Sequence, residues 1–62
     1  MIMRYRTKRD TNGNRYYLTV DHEKRTYKKE YNLYINDNDI EVTKRDRLKI
    51  ADQLEANGYK EV

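Results

Sequence analysis

The chain has 62 residues, 14 Lys/Arg against 11 Asp/Glu, no Cys, Pro, Trp or Phe, and seven Tyr. That bounds it to one small domain, 1–62, which buries only about 60% of the surface its unfolded form exposes. The missing Cys excludes disulfides and thiolate metal sites, and no apolar run approaches the roughly 18 residues of a membrane span.

Charge and aromatic residues are unevenly spread. Residues 1–35 carry nine Lys/Arg and four Asp/Glu and six of the seven Tyr, whereas residues 36–62 carry five Lys/Arg and seven Asp/Glu. The front is basic and aromatic, the back mildly acidic. The N-terminus shows neither an h-region nor a cleavage site, so a cytoplasmic location is expected.

The first element is a hairpin. Asn12-Gly13 lies between two alternating segments, and both residues tolerate the positive φ of a type I′ turn. A two-residue turn there opposes Arg9 to Tyr16, Thr7 to Leu18, Tyr5 to Val20 and Met3 to His22 on one face. On the other it opposes Asp10 to Arg15, Lys8 to Tyr17, Arg6 to Thr19 and Arg4 to Asp21. The first face collects Met3, Tyr5, Leu18 and Val20, and a slip by one residue would turn Leu18 and Val20 to water.

Residues 21–25 (DHEKR) read as a second turn, and Thr26–Ile35 alternates again. Tyr27, Lys29, Tyr31, Leu33 and Ile35 share the core side, with the Lys29 stem expected along the sheet and its ammonium in water. Thr26, Lys28, Glu30, Asn32 and Tyr34 share the outer side. The expectation for residues 1–35 is a three-stranded antiparallel β-meander with residues 16–21 central.

Asn36–Asp39 is a loop by composition, and Ile40–Val42 is a short extended candidate. Thr43-Lys44-Arg45-Asp46 resembles a capping box with Asp in place of Glu. A helix is expected over 43–57, with Thr43 as N-cap and an apolar stripe of Ile50, Ala51 and Leu54, Leu48 at its edge. Asn57-Gly58 supplies a left-handed stop with Gly58 at C′ and Tyr59 at C″. Residues 58–62 are a tail whose Val62 can reach the core edge. The expected fold is α+β, with the meander packed on one C-terminal helix.

Enzyme chemistry has little to stand on. There is no Ser or Cys nucleophile, and the single His22 lies in a turn. Asn36–Glu41 alternates oxygen ligands but lacks the sixth-position Gly and the bidentate Glu of an EF-hand loop. No catalytic group, metal, cofactor or small-molecule substrate is expected.

The outer sheet face carries the functional content. Arg6, Lys8, Arg15, Tyr17, Thr19 and Lys28 are the candidate nucleic-acid-binding residues: cations for phosphates, with Tyr17 as a stacking platform between them. Glu30 on the same face runs against a purely basic surface. DNA or RNA is one candidate partner. The other is a protein, or a second copy of the chain, meeting the sheet edges and exposed tyrosines.

The whole chain, ending in LEANGYKEV, resembles the small uncharacterised proteins of Gram-positive bacteria and their phages in length, composition and layout. The sheet-plus-helix layout is also similar to the arm-binding domains of tyrosine integrases, which lay a three-stranded sheet in the DNA major groove. That resemblance implies a DNA-facing sheet and brings no functional residues with it.

Overall fold

The computed structural model describes Met1–Val62. Strands β1 (Ile2–Arg6), β2 (Arg15–Asp21) and β3 (Thr26–Asn32) form the antiparallel meander; β4 (Ile40–Glu41), α1 (Lys44–Ala56) and β5 (Lys60–Glu61) follow. The α+β class is as expected, but the sheet is not a pure three-stranded meander. It has five strands in the order β4-β1-β2-β3-β5, with β4 parallel to β1 and β5 parallel to β3. The outer edges of β1 and β3 would otherwise leave backbone groups unpaired. Val42 N–H donates to Arg6 O at 2.8 Å and Val62 N–H to Tyr27 O at 2.9 Å, so both edges are closed by segments on either side of the helix. Val62 joins through its backbone, while its side chain is exposed instead of reaching the core. No helix is long and apolar enough to cross a membrane.

The β1–β2 register differs from the two-residue-turn expectation. Met3 faces Val20, Tyr5 faces Leu18, Arg4 faces Thr19 and Arg6 faces Tyr17. Two insertions account for this. Asp10 N–H donates to Asn14 O at 2.8 Å and Gly13 N–H to Asp10 O at 3.0 Å, enclosing a three-residue loop. Within it Gly13 alone has positive φ, +80°, as in a turn closed by a glycine bulge. Thr7 N–H then donates to Tyr16 O at 3.1 Å, which leaves Lys8 and Arg9 opposite Arg15 alone, a second bulge. Each insertion alone would exchange the faces. Together they move every partner by two residues, and Leu18 and Val20 stay inward.

The β2–β3 pairing matches the alternation: Val20 faces Tyr27, Leu18 faces Lys29 and Tyr16 faces Tyr31. In the connecting turn Asp21 Oδ1 accepts from the Glu23 and Lys24 N–H groups at 3.0 and 3.1 Å. Lys29 Nζ lies 3.6 Å from Glu61 with its side chain partly in water. The strand stops at Asn32, short of the expected Ile35. Asn32 Oδ1 accepts from Tyr34 N–H at 2.8 Å, an Asx-type turn that takes the chain out of the ladder. Leu33 and Ile35 are consequently 61% and 70% exposed, not core.

Leu18, Val20, Tyr27 and Ala51 form the core, with Tyr5, Ile50, Leu54 and Tyr59 packed around it. Thr43 Oγ1 accepts from Asp46 N–H at 3.0 Å, so the expected N-cap forms. At the other end Gly58 N–H reaches Glu55 O and Tyr59 N–H reaches Leu54 O, both at 3.0 Å, the pair of bonds that defines a Schellman stop. His22 is half-buried, its Nδ1 2.8 Å from the Tyr59 hydroxyl. Arg47 was not expected inside, yet only 8% of it is exposed. Its guanidinium lies 5.0 Å from the Tyr16 ring centroid and Lys44 Nζ 5.1 Å from it. The first turn of α1 therefore sets two cations against one aromatic ring.

Candidate functional site

The outer face gathers side chains from every long strand. One row across the sheet runs Glu41, Arg6, Tyr17, Glu30; the next runs Arg4, Thr19, Lys28; Arg15 faces Asn32. Apart from Glu41, the sequence places these residues on one face correctly, but it pairs β1 with β2 wrongly. Arg4 does not face Asp21, whose Oδ1 is taken up by the β2–β3 turn. Asp10 does not face Arg15: its Oδ1 accepts from Asn12 and Asn14 N–H at 2.9 and 3.1 Å, and its Oδ2 accepts the Tyr31 hydroxyl. Arg4 and Arg15 are thereby left without an ion-pair partner.

Arg6 and Lys28 are not free as the expected register had them. Arg6 Nη1 donates to Glu41 Oε1 at 2.8 Å, and Lys28 Nζ lies 3.7 Å from Glu30 Oε1. The Arg6 hydrogen bond, helped by the charges of Arg6, Lys8 and Arg15, holds the Glu41 carboxyl below its ordinary range against the opposing effect of desolvation. Lys8 stands exposed at the bulge without an ion pair. The unspent cations of this face are Arg4, Lys8 and Arg15.

Tyr17 cannot serve as an open stacking platform, because only 4% of it is exposed. The segment after β3 folds back over it. The Tyr17 hydroxyl donates to Tyr34 O, and the Tyr34 ring stands edge-on to it with centroids 5.0 Å apart. Arg4 donates to the Tyr34 hydroxyl, which also accepts from Asn36 Nδ2 at 3.0 Å. Tyr34 therefore takes over as the outward aromatic.

This strap turns the flat face into a groove of about 350 Å³. Tyr17 and Thr19 form its floor and Tyr34 and Arg4 one wall; Lys28, Glu30 and Asn32 on β3 form the other. Of the expected site residues the groove unites Tyr17, Thr19 and Lys28. Arg6, Lys8 and Arg15 lie outside it, clustered by charge about Glu41. The sequence puts Arg4, Asn32 and Tyr34 on the face without naming them as site residues, and it does not place Glu41 there. The short Asn32-Leu33-Tyr34 step was the available signal, since an Asn two residues before a Tyr can turn the chain.

On the opposite side, the Asp10–Tyr31 bond links the hairpin loop to β3. The Tyr31 hydroxyl is the main cause holding the Asp10 carboxyl low, and Asp10 in turn pushes the Tyr31 phenol up. A lowered carboxyl contributes stability above about pH 4 that is lost as pH falls through its folded value. A raised phenol contributes stability below about pH 10 that is lost as pH rises through its folded value. Tyr31→Phe should thus be most destabilising between these limits, with the gap from the parent narrowing at both extremes. Urea midpoints at acid, neutral and strongly alkaline pH check this; a gap constant in pH would mean that the bond is not formed in solution.

Together these elements define a small α+β domain with a grooved, basic sheet face opposite its single helix. No family model, curated protein or solved structure matches the chain.

Proposed function

We propose that this protein is a small non-enzymatic nucleic-acid-binding module that works through the outer face of its sheet. The observation that supports the reading is the set Arg4, Lys8 and Arg15, three cations of this face without ion pairs, of which Arg4 lines the groove walled by Tyr34. Phosphates meet the cations, and an aromatic edge beside them offers a surface for bases or sugars.

With about three phosphates neutralised, the slope of log affinity against log salt should lie near −2 to −3. Raising salt from about 50 to about 200 mM then weakens binding about 16- to 64-fold, and the affinity is micromolar or poorer. Titration with short single- and double-stranded oligonucleotides at both salts, read by amide shifts, tests this. Shifts should centre on Arg4, Lys8, Arg15 and Tyr34. Salt-independent binding, or shifts confined to α1, would replace this reading with the second one. In that reading the protein is an interaction or self-associating module, supported by the exposed Ile2, Leu33, Ile35 and Ile40 side chains.

A further inference from the structure

The acidic residue that runs against a plain phosphate-binding face, Glu30, lies in the wall of the groove beside a cation. Lys28 and Glu30 share one face of β3 at alternate positions, with Nζ 3.7 Å from Oε1. This pair sets one charged donor beside two carboxylate acceptors in the groove wall. Asn32 Nδ2 donates to Glu30 Oε2 from 3.3 Å on the far side. A carboxylate offers about four lone-pair sites, so both oxygens can still accept.

We infer that the groove receives an unpaired guanine base of a single-stranded nucleic acid. The inference rests on the nucleic-acid reading of this face and deepens it. The Watson–Crick edge of guanine runs acceptor, donor, donor: O6, N1–H and the 2-amino group. It is the complement of an ammonium followed by two carboxylate oxygens. Adenine and cytosine each set a ring-nitrogen acceptor next to their amino group, and that lone pair would repel a carboxylate oxygen. Thymine and uracil present one N–H between two carbonyls. None of these four bases offers two adjacent donors.

The remaining walls suit the same ligand. Tyr34 supplies the aromatic surface, with the Arg4 guanidinium 5.6 Å from its ring centroid, and Arg4 is free to meet a flanking phosphate. A volume of about 350 Å³ is near the lower end of ligand sites, roughly 300–1,000 Å³. That admits a base and its sugar but no base pair. The edge being read is hidden in a duplex, so the groove requires a single strand.

The test uses thymidine heptamers with one central substitution. A central guanine should bind about fivefold or more tightly than a central adenine, cytosine or thymine, the low end of what a bidentate base contact discriminates. Inosine, which lacks the 2-amino group, should lose most of that gain. Glu30→Gln, a change at an exposed position, should abolish the guanine preference while leaving all-thymidine binding equal or tighter, since it removes a negative charge. Equal binding of every heptamer with the salt slope retained overturns the guanine site and leaves the phosphate-binding face standing. No binding of any heptamer at low salt overturns both. Guanosine monophosphate binding as tightly as the guanine heptamer overturns a strand as the source of the base.

Discussion

Leu18→Ala is expected to lower the melting temperature by about 8–40 °C. Leu18 is fully buried at the centre of β2, between Tyr5 on β1 and Lys29 on β3, and it joins Val20, Tyr27 and Ala51 in the only core the domain has. Emptying such a site costs about 2–5 kcal/mol. At about 0.05–0.15 kcal/mol per residue, a chain of this length holds roughly 3–9 kcal/mol in all, so one truncation takes a large share of it. A domain this small loses about 4–8 °C per kcal/mol. Leu48→Ala serves as the control. Leu48 is the helix leucine on the water side, 52% exposed, and its truncation should stay within about 0.5 kcal/mol. Thermal melts of both variants decide the matter. Similar losses at the two positions would mean that the apolar stripe of α1 faces the sheet differently.

That core was legible because the signals agreed. Tyr16–Val20 and Tyr27–Tyr31 alternate with period two, and Thr43 and Asn57-Gly58 bracket one helical stretch. Partner identity was not legible. A bulge at Lys8 and Arg9 is fixed by where Thr7 N–H donates to Tyr16 O and Tyr16 N–H to Thr7 Oγ1, and no hydrophobic alternation announces that. The faces came out right only because two single-residue insertions restore the parity that one would break. The short strand β4 was legible only as an extended candidate over Ile40–Val42, and β5 only as part of a tail, for a related reason. Each is two residues long with exposed side chains, and periodicity has nothing to register over two residues. The burial of Tyr17 depends on a strap that leaves the sheet and returns over it, which is a tertiary event. Its consequence for the site was large: the expected flat basic surface became a groove, and the aromatic role passed from Tyr17 to Tyr34. Glu41 followed the same logic. Only the parallel β1–β4 pairing sets it against Arg6, and only that contact removes Arg6 from the free cations.

Gly58→Val should cost about 1–2 kcal/mol from backbone strain alone and should loosen one edge of the sheet. Gly58 has φ +87°, a left-handed conformation that a Cβ disfavours by about 1–2 kcal/mol, and a β-branched side chain suffers most there. Space is not the obstacle to the first atom: a Cβ would meet Arg25 Nη2 at 3.6 Å, an ordinary contact. The further methyls of valine are another matter, because Arg25 is a clasp. Its guanidinium donates to Asn57 O, lies 4.9 Å from the Tyr59 ring centroid, and sits at the negative end of the helix dipole. Lys60 N–H donates to Arg25 O at 3.0 Å, so the same residue anchors the start of β5. Strain at Gly58 is therefore passed to Tyr59, which packs on the core, and to the β3–β5 pairing. A fall in melting temperature of about 4–15 °C is expected. Hydrogen exchange should show residues 59–62 losing protection while the β1–β2 amides keep theirs relative to global stability. Gly58→Asn should cost less, since Asn tolerates the left-handed region. If valine and asparagine were equally harmless, the helix would have to end without a left-handed residue. The path of Tyr59 onto the core and of Lys60 onto β3 would then need a different turn.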